Sequence, residues 1–140
     1  MTTFQQAWTI LAGELTTHPW EYTDPGGTTL TVIPEGLVQG PGDGGIVLRI
    51  TADHHEAAEV TVTTTDMPHV IASIAADAEV AHRLPLATLT VTPQGPGAGV
   101  RLAIREFDGA DVQINLPADI RRHLSPALTR ASDVAQGWEM

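Results

Sequence analysis

The chain has 140 residues, 42% of them hydrophobic, and a net charge of −10, which is long enough to bury one sizeable core and acidic enough to disfavour direct contact with phosphate backbones or anionic lipid. There is no cysteine, which excludes disulfides and thiol chemistry. No run approaches the ~18 apolar residues of a membrane span, and no basic stretch precedes an apolar core near the N-terminus, so a cytoplasmic protein without membrane contact is expected.

The first expected element is a helix over 3–17, where Phe4, Ala7, Trp8, Leu11 and Leu15 form one apolar stripe. Thr3 and Gln6 have capping-box spacing, and Pro19 ends the element. Alternation over 20–24 and 28–33 around Pro25-Gly26-Gly27 predicts a hairpin. A short strand near Leu37 and Val38 and a glycine-rich loop over 40–45 follow. Strands are expected over 45–51 and 58–64, then a helix over 67–82 with Asp66 as cap. Further strands fall near 86–92, 99–106 and 110–115, with turns at 95–99 and 108–109. Pro117 opens a last helix, which is expected to kink or restart at Ser125-Pro126.

One phrase occurs twice. Residues 29–34 read Thr-Leu-Thr-Val-Ile-Pro and residues 88–93 read Thr-Leu-Thr-Val-Thr-Pro. Each is followed by Gly-Pro-Gly, an apolar run, an acid-led alternating segment, and an apolar residue before proline. The recurrence predicts a duplicated β-β-β-α unit, approximately 28–82 and 87–136, preceded by the N-terminal helix, within one domain over 1–140. Leu30 and Leu89, Leu48 and Leu102, and Val60 and Val112 are the expected equivalent positions. Strand parity puts thirteen Leu, Ile and Val residues on one face and Thr, Arg, Gln and Asn on the other. The fold class is therefore α+β, an antiparallel sheet with helices on one face.

Few residues point to chemistry. Asp53-His54-His55-Glu56 is the densest titratable cluster and has divalent-metal ligand types. The same Asp-His-His triplet occurs in a phosphoesterase family of that name, but the upstream aspartate motifs which that family needs are absent. The plain reading is a solvated hairpin loop. The remaining histidines are scattered, and none of the three serines lies in a Gly-x-Ser-x-Gly elbow. The glycine-rich loops precede strands rather than helices and the chain has no lysine, so they are not phosphate loops. Paired threonines are the ordinary polar residues of a solvated strand face. No catalytic residue, cofactor or metal is expected.

The composition, rich in alanine, glycine, proline, threonine and arginine, suits a high-GC bacterium or its phage or plasmid. Residues 1–70 carry nine acids and one arginine, a balance of −8, whereas residues 71–140 carry eight acids and six arginines, a balance of −2. Glu56, Glu59, Arg101 and Arg105 are the candidate interaction surface. The expected function is a non-enzymatic acidic protein-binding module: an adaptor, a chaperone-like protein or an inhibitor, with a protein partner and with a homodimer as one candidate state. The element order α-βββ-α-βββ-α, small size and acidity resemble bacterial secretion-type chaperones, a likeness of element order without a shared motif. The alternatives are a nucleic-acid mimic that inhibits a DNA-binding protein and a small hydrolase using the Asp53 to Glu56 loop.

Overall fold

The computed structural model describes residues 20–35, 45–52, 57–95, 97–107 and 109–137. The helix expected over 3–17, the strand near Leu37 and Val38, most of the first glycine-rich loop and the 53–56 loop lie outside the described residues.

The protein is α+β. Strands β1 (Trp20–Thr23), β2 (Thr29–Glu35), β3 (Gly45–Thr51) and β4 (Ala57–Thr63) form one antiparallel sheet in that order. Helix α1 (Met67–Ala75) follows. Strands β5 (Val80–Arg83), β6 (Ala87–Pro93), β7 (Val100–Glu106) and β8 (Asp111–Leu116) form a second antiparallel sheet in order, and helix α2 (Ala118–Gly137) closes the described chain. The single antiparallel sheet expected from sequence is thus two sheets; the first is made of the strands expected at 20–24, 28–33, 45–51 and 58–64, and the second has four strands rather than three. The extra strand of the second half is β5. Residues 80–83 alternate between half-buried and exposed, and they pair with β6 from Val80↔Val91 to Arg83↔Thr88. The sequence assigned this stretch to the end of a helix.

Helix α1 stops early because another element caps it. The run Ile74-Ala75-Ala76-Asp77-Ala78 favours helix on propensity alone. The Arg121 guanidinium of α2 donates to the carbonyls of Ile74 (2.8 Å) and Ala76 (3.0 Å), taking over orphan acceptors of the last turn. It also donates to Ala98 and Gly99, which joins the same helix end to the turn before β7. A Cβ on Gly99 would lie 1.9 Å from the Leu116 carbonyl oxygen, so only glycine permits this approach of backbones. Helix α2 runs unbroken through Pro126, against the expected restart. Pro126 is exposed, and buried Leu124, Leu128, Ala131, Val134 and Ala135 continue one stripe on both sides of it. That burial outweighs the one backbone bond proline removes.

Strand parity read from the sequence is the parity observed. All thirteen expected inward residues are buried, from Ile50 at 0% exposure to Val112 at 5%. They belong to one apolar cluster that spans both sheets and both helices. Helix α1 packs on β6 of the second sheet, α2 packs on β2 and β3 of the first, and the helices pack on each other. Each sheet is therefore covered by the helix that follows the other. The cross-strand registers correspond between sheets: Leu30↔Ile50 matches Leu89↔Ile104, and Val32↔Leu48 matches Val91↔Leu102. The third expected equivalence is displaced by two residues. Val60 faces Leu48 while Ile114 faces Leu102, so Val60 corresponds to Ile114, and Val112 corresponds to Ala58.

Candidate functional site

The outer edge of β4 lies beside one end of the second sheet, where two of its turns project together. Pro85 suits the β5–β6 turn, which closes with Leu84 N–H donating to the Ala87 carbonyl at 3.0 Å. The β7–β8 turn closes with Glu106 N–H donating to Ala110 at 2.9 Å, and Phe107 N–H donates to Leu86 at 3.2 Å to hold the two turns side by side. Between these turns and β4 runs a groove of about 570 Å³, lined by Glu59, Val60, Thr61, Thr63, Asp66, Leu84, Pro85, Leu86, Glu106, Phe107 and Gly109.

The groove has an apolar wall and an acidic rim. Leu86 is 81% exposed and Phe107 is 64% exposed, the large exposed apolar side chains among the described residues. Keeping two such groups in water forfeits burial worth roughly 1.5–3 kcal/mol each, which the core elsewhere collects. The rim carries Glu59, Asp66 and Glu106. Glu106 Oε2 accepts the backbone N–H of Glu59 at 3.2 Å across the groove. Gly109 makes room for that carboxylate, since a Cβ there would lie 2.6 Å from Glu106 Oε1. Asp66 occupies the N-cap position of α1 as expected, yet its side chain makes no capping bond. Glu59 also pairs with Arg49 at 3.2 Å across β3 and β4, both side chains 40–50% exposed, so the pair is worth about 0–1 kcal/mol.

Three of the four residues of the expected surface lie among the described residues, on strands of different sheets. Glu56 lies outside the described residues. Glu59 is on β4 of the first sheet, at the groove. Arg101 and Arg105 are on β7 of the second sheet, where Arg101 Nε donates to Asn115 Oδ1 at 3.1 Å and Arg105 lies opposite Asp111. Sequence reasoning missed Leu86, Phe107, Glu106 and the groove role of Asp66. The available signal was a large apolar residue in each of two turns, where small polar residues and proline are usual.

A serine–histidine contact also merits a chemical reading. Ser73 Oγ, buried, donates to the Val70 carbonyl at 2.6 Å and lies 2.9 Å from His82 Nε2. The hydroxyl has one proton and gives it to the helix, so His82 Nε2–H is the donor to Ser73. A nucleophilic serine needs the reverse sense, with its proton passing to a basic imidazole. Burial lowers the His82 pKa, the neighbouring His69 charge lowers it further, and Asp66 raises it in part. The contact is structural. A second cavity of about 320 Å³ beside α2 is lined in part by Arg121 and Arg122, but the Arg121 donors are committed to four backbone carbonyls.

Among the described residues, no three His, Asp or Glu side chains converge as metal ligands, and no helix is long and apolar enough to cross a membrane. The chain matches no family model and no curated protein.

Proposed function

We propose that this is a non-enzymatic acidic protein-binding module, working in the cytoplasm as an adaptor, a chaperone-like protein or an inhibitor. The groove between β4 and the two projecting turns is its contact site. One observation carries the reading: Leu86 and Phe107 stand exposed side by side above a rim of Glu59, Asp66 and Glu106. Exposed apolar groups rimmed by polar ones are the usual composition of a protein contact patch. The two halves are further proposed to be copies of one four-strand-and-helix unit, supported by the matching registers of β2–β3 and β6–β7. Their solvated faces then differ in charge because they serve different surfaces, with Arg101 and Arg105 standing where the first half has Val47 and Thr51.

The test is site-specific photocrosslinking in cells that produce the protein. Benzoylphenylalanine at position 107 is expected to give one dominant protein adduct. The same group at Thr90, on the solvated face of the second sheet, is expected to give none. Equal adduct patterns from both positions, or none from 107, would argue against the groove as a contact site.

A further inference from the structure

We infer, resting on that reading, that the groove takes an extended segment of a partner protein, with apolar side chains flanked by lysine or arginine, added as a fifth strand to β4. The backbone of β4 is set for this. In an antiparallel pair, alternate residues turn their N–H and C=O groups toward the partner strand and the rest turn them away. Glu59 N–H leaves the sheet to reach Glu106 Oε2, so Ala57, Glu59, Thr61 and Thr63 direct their backbone groups outward. The Thr63 carbonyl is taken by Asp66 N–H at 3.1 Å. Among the described residues nothing bonds the outward N–H and C=O of Thr61.

The Glu106 carboxylate oxygen sits where the carbonyl oxygen of a neighbouring strand would sit, accepting the same N–H. A side chain at the end of a strand is displaced more readily than a paired strand, so this contact holds the edge without closing it. A helix satisfies its own backbone and would leave these groups unused. An extended segment uses them and alternates its side chains, presenting every second one to Leu86 and Phe107.

Charge decides which extended segment fits. Glu59, Asp66 and Glu106 line the groove, and among the described residues no arginine or histidine does. Arg49 offsets Glu59 alone. A basic segment would bring ammonium or guanidinium groups to these carboxylates, whereas an acidic one would be repelled.

The test uses the full chain and fluorescent decapeptides of alternating lysine and valine, the glutamate–valine counterpart, and the lysine peptide N-methylated on one hydrogen-bonding edge. Anisotropy should give a Kd of about 10–100 μM for the basic peptide. It should be about tenfold weaker or worse for the acidic and N-methylated peptides, for L86S/F107S, and when salt rises from about 0.1 to about 1 M, where the Debye length falls from about 10 to about 3 Å. Thr90→Ala should bind as the parent does. Equal binding of the N-methylated peptide would overturn strand addition, and equal binding of the acidic peptide would overturn the charge argument. No binding of the basic peptide while the position-107 crosslink persists would sink this inference and leave the protein-binding reading standing; loss of both would sink both. A dimer in sedimentation velocity that dissociates in F107S would show that a second copy occupies the groove, and would overturn the proposal.

Discussion

At the scale of the residue, the Ser73–His82 contact makes the fold sensitive to mild acid. His82 is half-buried in β5 against α1, and burial, followed by the His69 charge, pulls its pKa below the ordinary value of about 6.5. The unfolded chain therefore takes up this proton more readily than the folded one. Stability contributed by neutral His82 is present above about pH 6.5 and is lost as pH falls below it toward the folded value. Denaturant midpoints measured at about pH 7.5 and about pH 5.5 should drop for the parent and drop less for His82→Gln, which can still donate to Ser73. An NMR titration should place the His82 ring below the ordinary value of about 6.5. Equal drops in the two proteins, or a His82 ring titrating at or above about 6.5, would show that burial does not govern this site.

At the scale of the element, Arg121 determines where α1 ends. It binds two carbonyls of the α1 terminus and two of the 98–99 backbone, although 45 or more residues separate it from the helix it caps. Arg121→Leu removes the side-chain donor from the Ile74, Ala76 and Ala98 carbonyls, while the Gly99 carbonyl keeps the Gln94 N–H. Charge-assisted bonds contribute about 1.5–3 kcal/mol, so a loss of about 2–4 kcal/mol is expected for this half-buried group. Amide exchange in the last turn of α1 should quicken well beyond the change in β2. Arg121→Lys should recover part of the stability, since one ammonium cannot span four carbonyls. Exchange that quickens uniformly would mean the residue only packs. The same element shows what the sequence could and could not disclose. Alternation with period two disclosed thirteen inward strand residues, from Leu30 to Leu116, because most solvated strand positions are polar, while buried Ile46, Ala58, Ala87 and Val100 at the strand ends were not named. The end of α1 was hidden because Ala76 and Ala78 favour helix and the group that stops it belongs to α2. The groove was hidden for a similar reason. Leu86 and Phe107 lie 21 positions apart in sequence, and only the pairing of β6 with β7 brings their turns together. Glu59 was singled out for its charge, while its role at an edge depends on a neighbour, Glu106, that the local pattern does not indicate.

At the scale of the whole molecule, the crossed placement of the helices predicts that the two halves fold as one unit. Each half has a sheet with one apolar face, yet the helix that follows it covers the other sheet: α1 lies on β6, and α2 on β2 and β3. A half expressed alone would keep its sheet and lose the helix that covers it. In the first sheet Leu30, Val32, Leu48 and Ile50 are all at or below 2% exposed in the whole protein, and they would face water. Uncovering four such side chains costs about 6–12 kcal/mol at roughly 1.5–3 kcal/mol each, comparable to the total stability of a domain this size. Fragments 1–78 and 79–140 should therefore each lack dispersed amide NMR signals when separate. Mixed at equal concentration, they should recover the spectrum of the intact chain, because the junction at 78–79 cuts no strand or helix and each fragment supplies the helix the other needs. The intact chain should unfold in one transition, with coincident midpoints by far-ultraviolet circular dichroism and by exchange of β2 and β6 amides. If fragment 79–140 folded alone, α2 would have to fold back onto its own sheet, the contact between α2 and β2 would be dispensable, and the shared core would be two adjacent ones.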